Sequence, residues 1–287
     1  MSRAPGTFAY PGSKTTYAGW IIDHIPEHTQ YIEPFGGAAS VLVAKPRSEL
    51  EVYNDLNGDC VEFFRAVRDR PDELKHWVEN TPYSRQLFNE YVESYPDWPN
   101  DTVEYAGRFL FVQSACFGGK GLFTANPTFG VSKKETRSVG EITGSKRPIL
   151  WEQKANHILE LSNRFVGVTV ERLDYADLVE KYDDKNAFFY FDPPYVDVGD
   201  DYYQVEKGGF NHKQFVDTLH DMEGKWLVSY DQNIPNGLED YRTVSREKVA
   251  TMSAQNPTKI ETLTMNYDID GEPVMSELGQ SGLSAYQ

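Results

Sequence analysis

Over the first seventy residues the apolar positions switch between a helical and a strand period. Residues 17–25 carry Ile21, Ile22 and Ile25 at helical spacing, and Pro26 ends the run. Residues 30–33 read as a short strand stopped by Pro34, and 38–44 as a small-residue helix packed closely on a sheet. Residues 51–54 predict the next strand and 57–68 the next helix. Strand, helix, strand, helix implies parallel pairing through right-handed crossovers. The pattern changes at Pro71. Residues 71–113 read as helical, with aromatics at Trp77, Phe88, Tyr91, Tyr105, Phe109 and Phe111. Residues 118–148 are rich in Gly, Ser, Thr and Lys, lack a clear period, and read as loops. So long a connection is uncommon inside a compact fold and often functional. The α/β alternation then resumes: helix 149–165, strand 168–173, helix 175–182, strand 187–191, helix 210–222, strand 226–230, and two late strands, 243–249 and 261–267, that suit a hairpin. From Asp268 the tail is polar. The expected organisation is an α/β domain of residues 1–70 and 149–287, interrupted by an inserted, mainly helical region, 71–148.

Composition narrows the class. With 39% hydrophobic and 25% charged residues, the 287-residue chain has the make-up of a soluble globular protein. No apolar stretch reaches the ~20 residues that span a bilayer, and residues 1–6 lack the apolar core of a secretory signal. A cytoplasmic location is expected. Cys60 and Cys116 stand far apart and match no zinc spacing, so reduced thiols and no metal site are expected.

A net charge of −16 argues against nucleic acid, whose binders usually show a basic footprint. The deficit is uneven, however. Lys120, Lys133, Lys134, Arg137, Lys146 and Arg147 face only Glu135 and Glu141 in that stretch. On charge alone, this is either a solvated loop or a surface for a polyanion.

Candidate chemistry gathers at three strand ends, where open α/β sheets place their ligands. The aromatic run of residues 187–191 stops at Asp192-Pro193-Pro194-Tyr195. This grouping of a carboxylate, a rigid turn without backbone donors and an aromatic ring suits an exocyclic amino group on a flat heterocycle. The carboxylate and a turn carbonyl would accept its two N–H bonds, and the ring would cover the heterocycle. Glu33-Pro34-Phe35-Gly36-Gly37 puts two glycines between a strand and a helix, where backbone can approach a ligand. By itself the glycine pair is a weak signal that reads first as a tight turn. Phe35 adds a face that a sulfonium could contact. Asp55, past the next strand, is placed either to bind a ribose hydroxyl or to cap the helix after it. The spacing departs from the G-x-G-x-x-G dinucleotide fingerprint.

Together these residues resemble the Dam-type, alpha-class DNA adenine N6-methyltransferases. The resemblance rests on Tyr10-Pro11-Gly12-Ser13-Lys14, Glu33-Pro34-Phe35-Gly36-Gly37-Ala38, Asn54-Asp55-Leu56-Asn57 and Asp192-Pro193-Pro194-Tyr195, in the family's order. Tyr10 stands where Trp is common, and Ser13 where Gly is common. Residues 117–122 and 127–130 match the family's recognition hairpin only loosely, which leaves the target sequence open.

The resemblance implies a Rossmann-like sheet binding S-adenosylmethionine, and a helical insertion that recognises duplex DNA. Tyr10, Lys14, Glu33, Phe35, Gly36, Gly37, Asp55, Asp174 and Tyr175 would border the donor. Asp192, Pro193, Pro194 and Tyr195 would hold a flipped adenine, and the six basic residues would contact phosphates. Ser229-Tyr230-Asp231 resembles the strand end beside the target pocket. Residues 196–209, directly after the Asp-Pro-Pro-Tyr motif, read either as a loop that closes over the base or as an acidic surface loop. A monomer is the default, with a paired restriction nuclease as a further partner. Transfer to cytosine N4, to RNA or to a small molecule, and a non-catalytic DNA-binding role, are the alternatives.

Overall fold

In this computed structural model, which describes residues 7–131, 136–139, 142–196, 209–248 and 259–268, strands and helices alternate as the sequence pattern implies at both ends of the chain. In chain order they are α1 (Ala18–Ile22), β1 (Gln30–Glu33), α2 (Ser40–Ala44), β2 (Leu50–Asn54), α3 (Gly58–Asp69), α4 (Pro71–Asn80), α5 (Arg85–Ser94), α6 (Thr102–Ala115), β3 (Thr136–Val139), β4 (Ile142–Ser145), α7 (Lys146–Phe165), β5 (Val168–Glu171), α8 (Tyr175–Tyr182), β6 (Ala187–Phe191), α9 (His212–Asp221), β7 (Lys225–Tyr230), β8 (Arg242–Lys248) and β9 (Lys259–Met265). The described chain divides into two compact units. The first runs through Ala18 and includes Gly37–Ala44 and Asp55–Arg172; the second holds Gly19–Gly36, Lys45–Asn54 and the described residues from Leu173 onward.

The first unit is helical at its centre. α3 begins where the Asn57 side chain accepts from Asp59 N, and it buries Cys60, Val61, Phe63, Phe64 and Val67 on one face. Phe64 stacks on Phe165 of α7, with ring centroids 4.5 Å apart. α6 is apolar around most of its circumference, so it is buried as a central helix should be. Asp59 ties α3 to this region by accepting from the hydroxyls of Tyr95 (3.0 Å) and Tyr105 (2.5 Å). α4 and α6 meet where a Cβ at Gly107 would overlap the Trp77 ring, so only glycine allows that approach.

Two differences from the expected loops of 118–148 stand out. β3 and β4 form an antiparallel hairpin with Thr136 opposite Ser145 and Val139 opposite Ile142. These four-residue strands carry no alternating apolar face, so periodicity could not reveal them. In addition, α7 starts at Lys146 rather than at 149. Pro148 lies in its first turn, where a missing N–H breaks no helical bond.

The main sheet has seven strands, six of them in the second unit in the order β2-β1-β6-β7-β9-β8. β2, β1, β6 and β7 are mutually parallel, with Ile32 opposite both Val52 and Phe189, and Phe189 opposite Trp226. β9 returns antiparallel to β7, and β8 antiparallel to β9, giving the expected late hairpin. All five residues of β6 are buried, as in a strand covered on both faces. Leu178 and Val179 of α8, with Phe215 and Leu219 of α9, pack on Ile32, Val52, Phe189, Phe191 and Val228. The parallel strands therefore deliver Glu33, Asn54, Phe191 and Tyr230 to one carboxyl edge. Among the described residues no helix is long and apolar enough to cross a membrane.

Candidate functional site

At the carboxyl edge of the second unit, β6 hands over directly to Asp192-Pro193-Pro194-Tyr195. Both prolines are buried, while Asp192 and Tyr195 are half-buried. The Tyr195 hydroxyl donates to Glu261 Oε1 at 2.6 Å, and its ring lies 5.8 Å from that of Tyr230. Burial, with the carboxylates of Asp192 and Glu261, pushes the Tyr195 phenol far above the usual range, so it remains a donor. Tyr230 is raised by burial and then by Asp192. Its hydroxyl lies 3.1 Å from Nδ1 of His212, whose own pKa burial lowers. One ring of this edge is thus fixed through a carboxylate and its neighbour through an imidazole.

Glu261 and His212 were not singled out from the sequence. Glu261 did leave a signal. It shares the period-two face of Leu263 and Met265, and all three are buried. A carboxylate on the buried face of a strand calls for a partner. The loop 197–208, with Asp200-Asp201-Tyr202-Tyr203, lies outside the described residues.

The edge continues around Phe35. Its ring packs against Tyr175 (5.7 Å), Phe210 (5.7 Å) and Phe191 (6.3 Å), so Phe35 and Tyr175 come together. Asp174 caps α8 by accepting from Ala176 N at 2.9 Å, and Glu33 is buried and accepts from the Tyr31 hydroxyl. Asn54 braces the neighbouring turns. Its Nδ2 donates to Pro34 O (2.8 Å) and Leu173 O (3.0 Å), while its Oδ1 accepts from Leu173 N (2.8 Å). A Cβ at Gly36 would overlap the Tyr53 ring. Gly36→Ala is therefore expected to destabilise the fold by about 1–3 kcal/mol, as overpacking does, with the midpoint of urea unfolding as the measurement.

In the first unit the turn runs on with Gly37 at φ +49° and Ala39 at φ +53°. These two left-handed residues delay the helix to Ser40, two residues later than the expected start at 38. A Cβ at Gly37 would stand 2.8 Å from the Tyr10 ring. Asp55 does not cap α3; Asn57 does. Instead, Asp55 Oδ2 accepts from Gly37 N at 2.7 Å and Oδ1 from Asn57 N at 2.8 Å. Burial raises its pKa to about 6 against the pull of those two bonds. Lys14 is buried, and its Nζ donates to Gly12 O at 3.1 Å. The chain itself links the two sets, at Gly36–Gly37 and Asn54–Asp55.

Of the basic residues, Lys146 and Arg147 line one cavity of the first unit, and Lys120 is exposed on a turn. Arg137 belongs to β3, whose side chains are not described, and Lys133 and Lys134 lie outside the described residues. The loosely matching stretch at 127–130 is pinned to the end of α6: Phe117 N donates to Thr128 O (2.6 Å) and Gly130 N to Ala115 O (2.7 Å).

Comparison with known proteins bears on what this arrangement does. The family described as D12 class N6 adenine-specific DNA methyltransferase matches residues 10–255. The type II methyltransferase M.CviBI of Paramecium bursaria Chlorella virus NC1A is 26% identical over 222 residues, covering 76% of this chain and 80% of that protein. The type II methyltransferase M.MjaIII of Methanocaldococcus jannaschii is 24% identical over 209 residues (65% and 67%). A DNA adenine methylase of Vibrio cholerae is 22% identical over 202 residues (68% and 67%).

Proposed function

The chain belongs to the D12 class N6 adenine-specific DNA methyltransferase family, and from that membership we propose that it methylates N6 of an adenine turned out of duplex DNA, with S-adenosylmethionine as donor. The observation that carries this reading is Asp192, set at the carboxyl end of the buried strand β6 beside an anchored Tyr195.

An adenine N6 is out of reach while stacked, and extruding the base costs a few kcal/mol. Tyr195 offsets part of that cost by stacking on the extruded ring. The Asp192 carboxylate and the Pro193 carbonyl accept the two N6 hydrogens. Pro193 and Pro194 have no N–H, so the turn presents acceptors alone to the amino group. These fixed acceptors favour the positive charge that develops on N6 and aim its lone pair, so orientation does most of the work. Asp192 need not be a strong base, because the proton can leave to water afterwards.

The residues present suit the donor. Gly36 and Gly37 keep a backbone surface free of Cβ atoms, and each Asp55 oxygen holds one N–H bond with a lone pair remaining for a ribose hydroxyl. S-adenosylmethionine, when bound, supplies a methyl group activated on a sulfonium. Phe35 and Tyr175 offer it aromatic faces, and Tyr10, Lys14, Glu33 and Asp174 border it. Asp55 accepts ribose O–H bonds best when ionised, and its pKa is about 6. Donor affinity should therefore fall as pH drops through that value, by up to about tenfold per unit below it. Calorimetric titration between pH 5 and pH 8 checks this, and Asp55→Asn should flatten the profile.

Region 71–148 provides the DNA-facing wall, with Lys120, Lys133, Lys134, Arg137, Lys146 and Arg147 on phosphates. Lys120→Gln with Lys146→Gln should weaken binding alike on all sequences and lower the salt slope by about 2. Altered sequence preference at an unchanged slope would contradict that role. We place the protein in the cytoplasm as a monomer. The test of the reaction is transfer of radiolabelled methyl to unmethylated duplex DNA, with the product identified by mass as N6-methyladenine.

A further inference from the structure

Four buried side-chain polar atoms among the described residues lack a hydrogen-bond partner, and two of their residues, Ser114 and His157, line the same cavity of about 430 Å³ in the first unit. Buried polar groups are almost always satisfied in folded proteins, so Ser114 Oγ and His157 Nδ1 on one cavity wall call for a polar occupant. The sign of its charge follows from the rest of the lining. Among the described residues, Lys146, Arg147 and Lys154 line this space and no carboxylate does. Lys154 Nζ donates to Thr7 O at 2.7 Å, and burial lowers its pKa to about 8. His157 is lowered by burial first and by Lys154 next, with Glu160 opposing. Burial is the largest cause of both shifts.

The cavity also communicates with the glycine turn of the same unit. Thr7, whose carbonyl accepts from Lys154, donates its hydroxyl to Ala38 O at 2.6 Å. Ala9 lines the cavity, and the next residue, Tyr10, packs where Gly37 lacks a Cβ.

We propose that this cavity is a phosphate site filled by a backbone phosphodiester of the DNA substrate, held by Lys146, Arg147 and Lys154, with the Ser114 hydroxyl and the Nδ1–H tautomer of His157 donating neutral bonds. The assignment rests on the DNA reading above and extends it from surface cations to a built pocket. It places a DNA contact one hydrogen-bonded residue, Thr7, from the turn proposed to meet the donor.

The test uses the full chain. Duplex affinity is measured over a range of salt for the wild type, Lys154→Met and Ser114→Ala, and the His157 ring is followed by NMR. Lys154→Met should lower the slope of log affinity against log salt by about 0.9 on every sequence. Ser114→Ala should weaken binding a few-fold at an unchanged slope, as loss of a neutral bond does. Duplex DNA should move the His157 resonances, while AMP and pyrophosphate should not. An unchanged slope in Lys154→Met, with intact donor binding and a wild type that methylates DNA, overturns the site. Resonances that move with AMP rather than duplex overturn it in favour of a free-nucleotide pocket. A wild type that methylates no DNA would instead remove the functional reading itself. Should Lys154→Met fail to fold, Ser114→Ala and the His157 resonances still decide.

Discussion

Asp192→Ala is expected to slow formation of N6-methyladenine by about a thousandfold or more, while binding of S-adenosylmethionine stays within twofold of wild type. One preorganised hydrogen-bond partner of a developing charge is worth about 10²–10³ in rate. Asp192 is proposed as both a charged acceptor and the group that aims the N6 lone pair, which puts it at or above the top of that range. Asp192→Asn keeps the shape and one acceptor oxygen but adds an N–H₂ that can face the substrate amine, so a loss of about a hundredfold is expected. Single-turnover rates with radiolabelled donor, beside equilibrium dialysis of the donor, make the measurement. Equal falls in kcat and kcat/KM would mark an interaction made in the transition state. An Asp192→Ala enzyme within tenfold of wild type would exclude Asp192 from the reaction.

Tyr195→Ala should lower kcat/KM for duplex DNA by about a hundredfold. Base–aromatic stacking contributes about 1–3 kcal/mol, and the vacated wall would also let an extruded adenine turn away from Asp192. Glu261 enters here as a positioning residue, because it holds the Tyr195 hydroxyl at 2.6 Å from a strand 66 residues further along the chain. Tyr195→Phe keeps the stacking face and loses that hold, so about a tenfold drop is expected. Glu261→Ala should match it, and Glu261→Gln, whose amide oxygen still accepts, should restore most of the activity. A duplex with 2-aminopurine at the target reports the extruded population by fluorescence. Its signal should fall in Tyr195→Ala and recover from Glu261→Ala to Glu261→Gln. Equal activity in all three Glu261 proteins would show that the carboxylate does not set the ring.

Much of the frame was legible because its signals are local. A five-residue apolar run with four aromatics, followed by Asp192 and two prolines, reads as a buried strand that stops, and β6 is that strand. The helix α8 follows 175–182 as expected, since an Asp cap and apolar spacing lie within the segment itself. The β3–β4 hairpin was not legible. Its polar strands bear no alternating face, and their pairing is written in no single stretch. The delayed start of α2 was hidden too, because alanine rarely adopts the positive φ found at Ala39.

The sequence by itself determined the order of strands and helices outside the β3–β4 hairpin, the clustering of Asp192 with Tyr195, the glycine turn and the membership these motifs imply. Tertiary structure alone decided what each side chain answers to. At Asp55 the sequence allowed a helix cap, whereas the folded chain gives the cap to Asn57 and turns Asp55 onto Gly37 N, 18 residues away. It also supplied Glu261 to Tyr195, and it brought Ser114, Lys154 and His157 around one cavity. Periodicity and turn chemistry reside in neighbouring residues. The burial of a charge, and the partner it then requires, exist only once distant segments have been folded together.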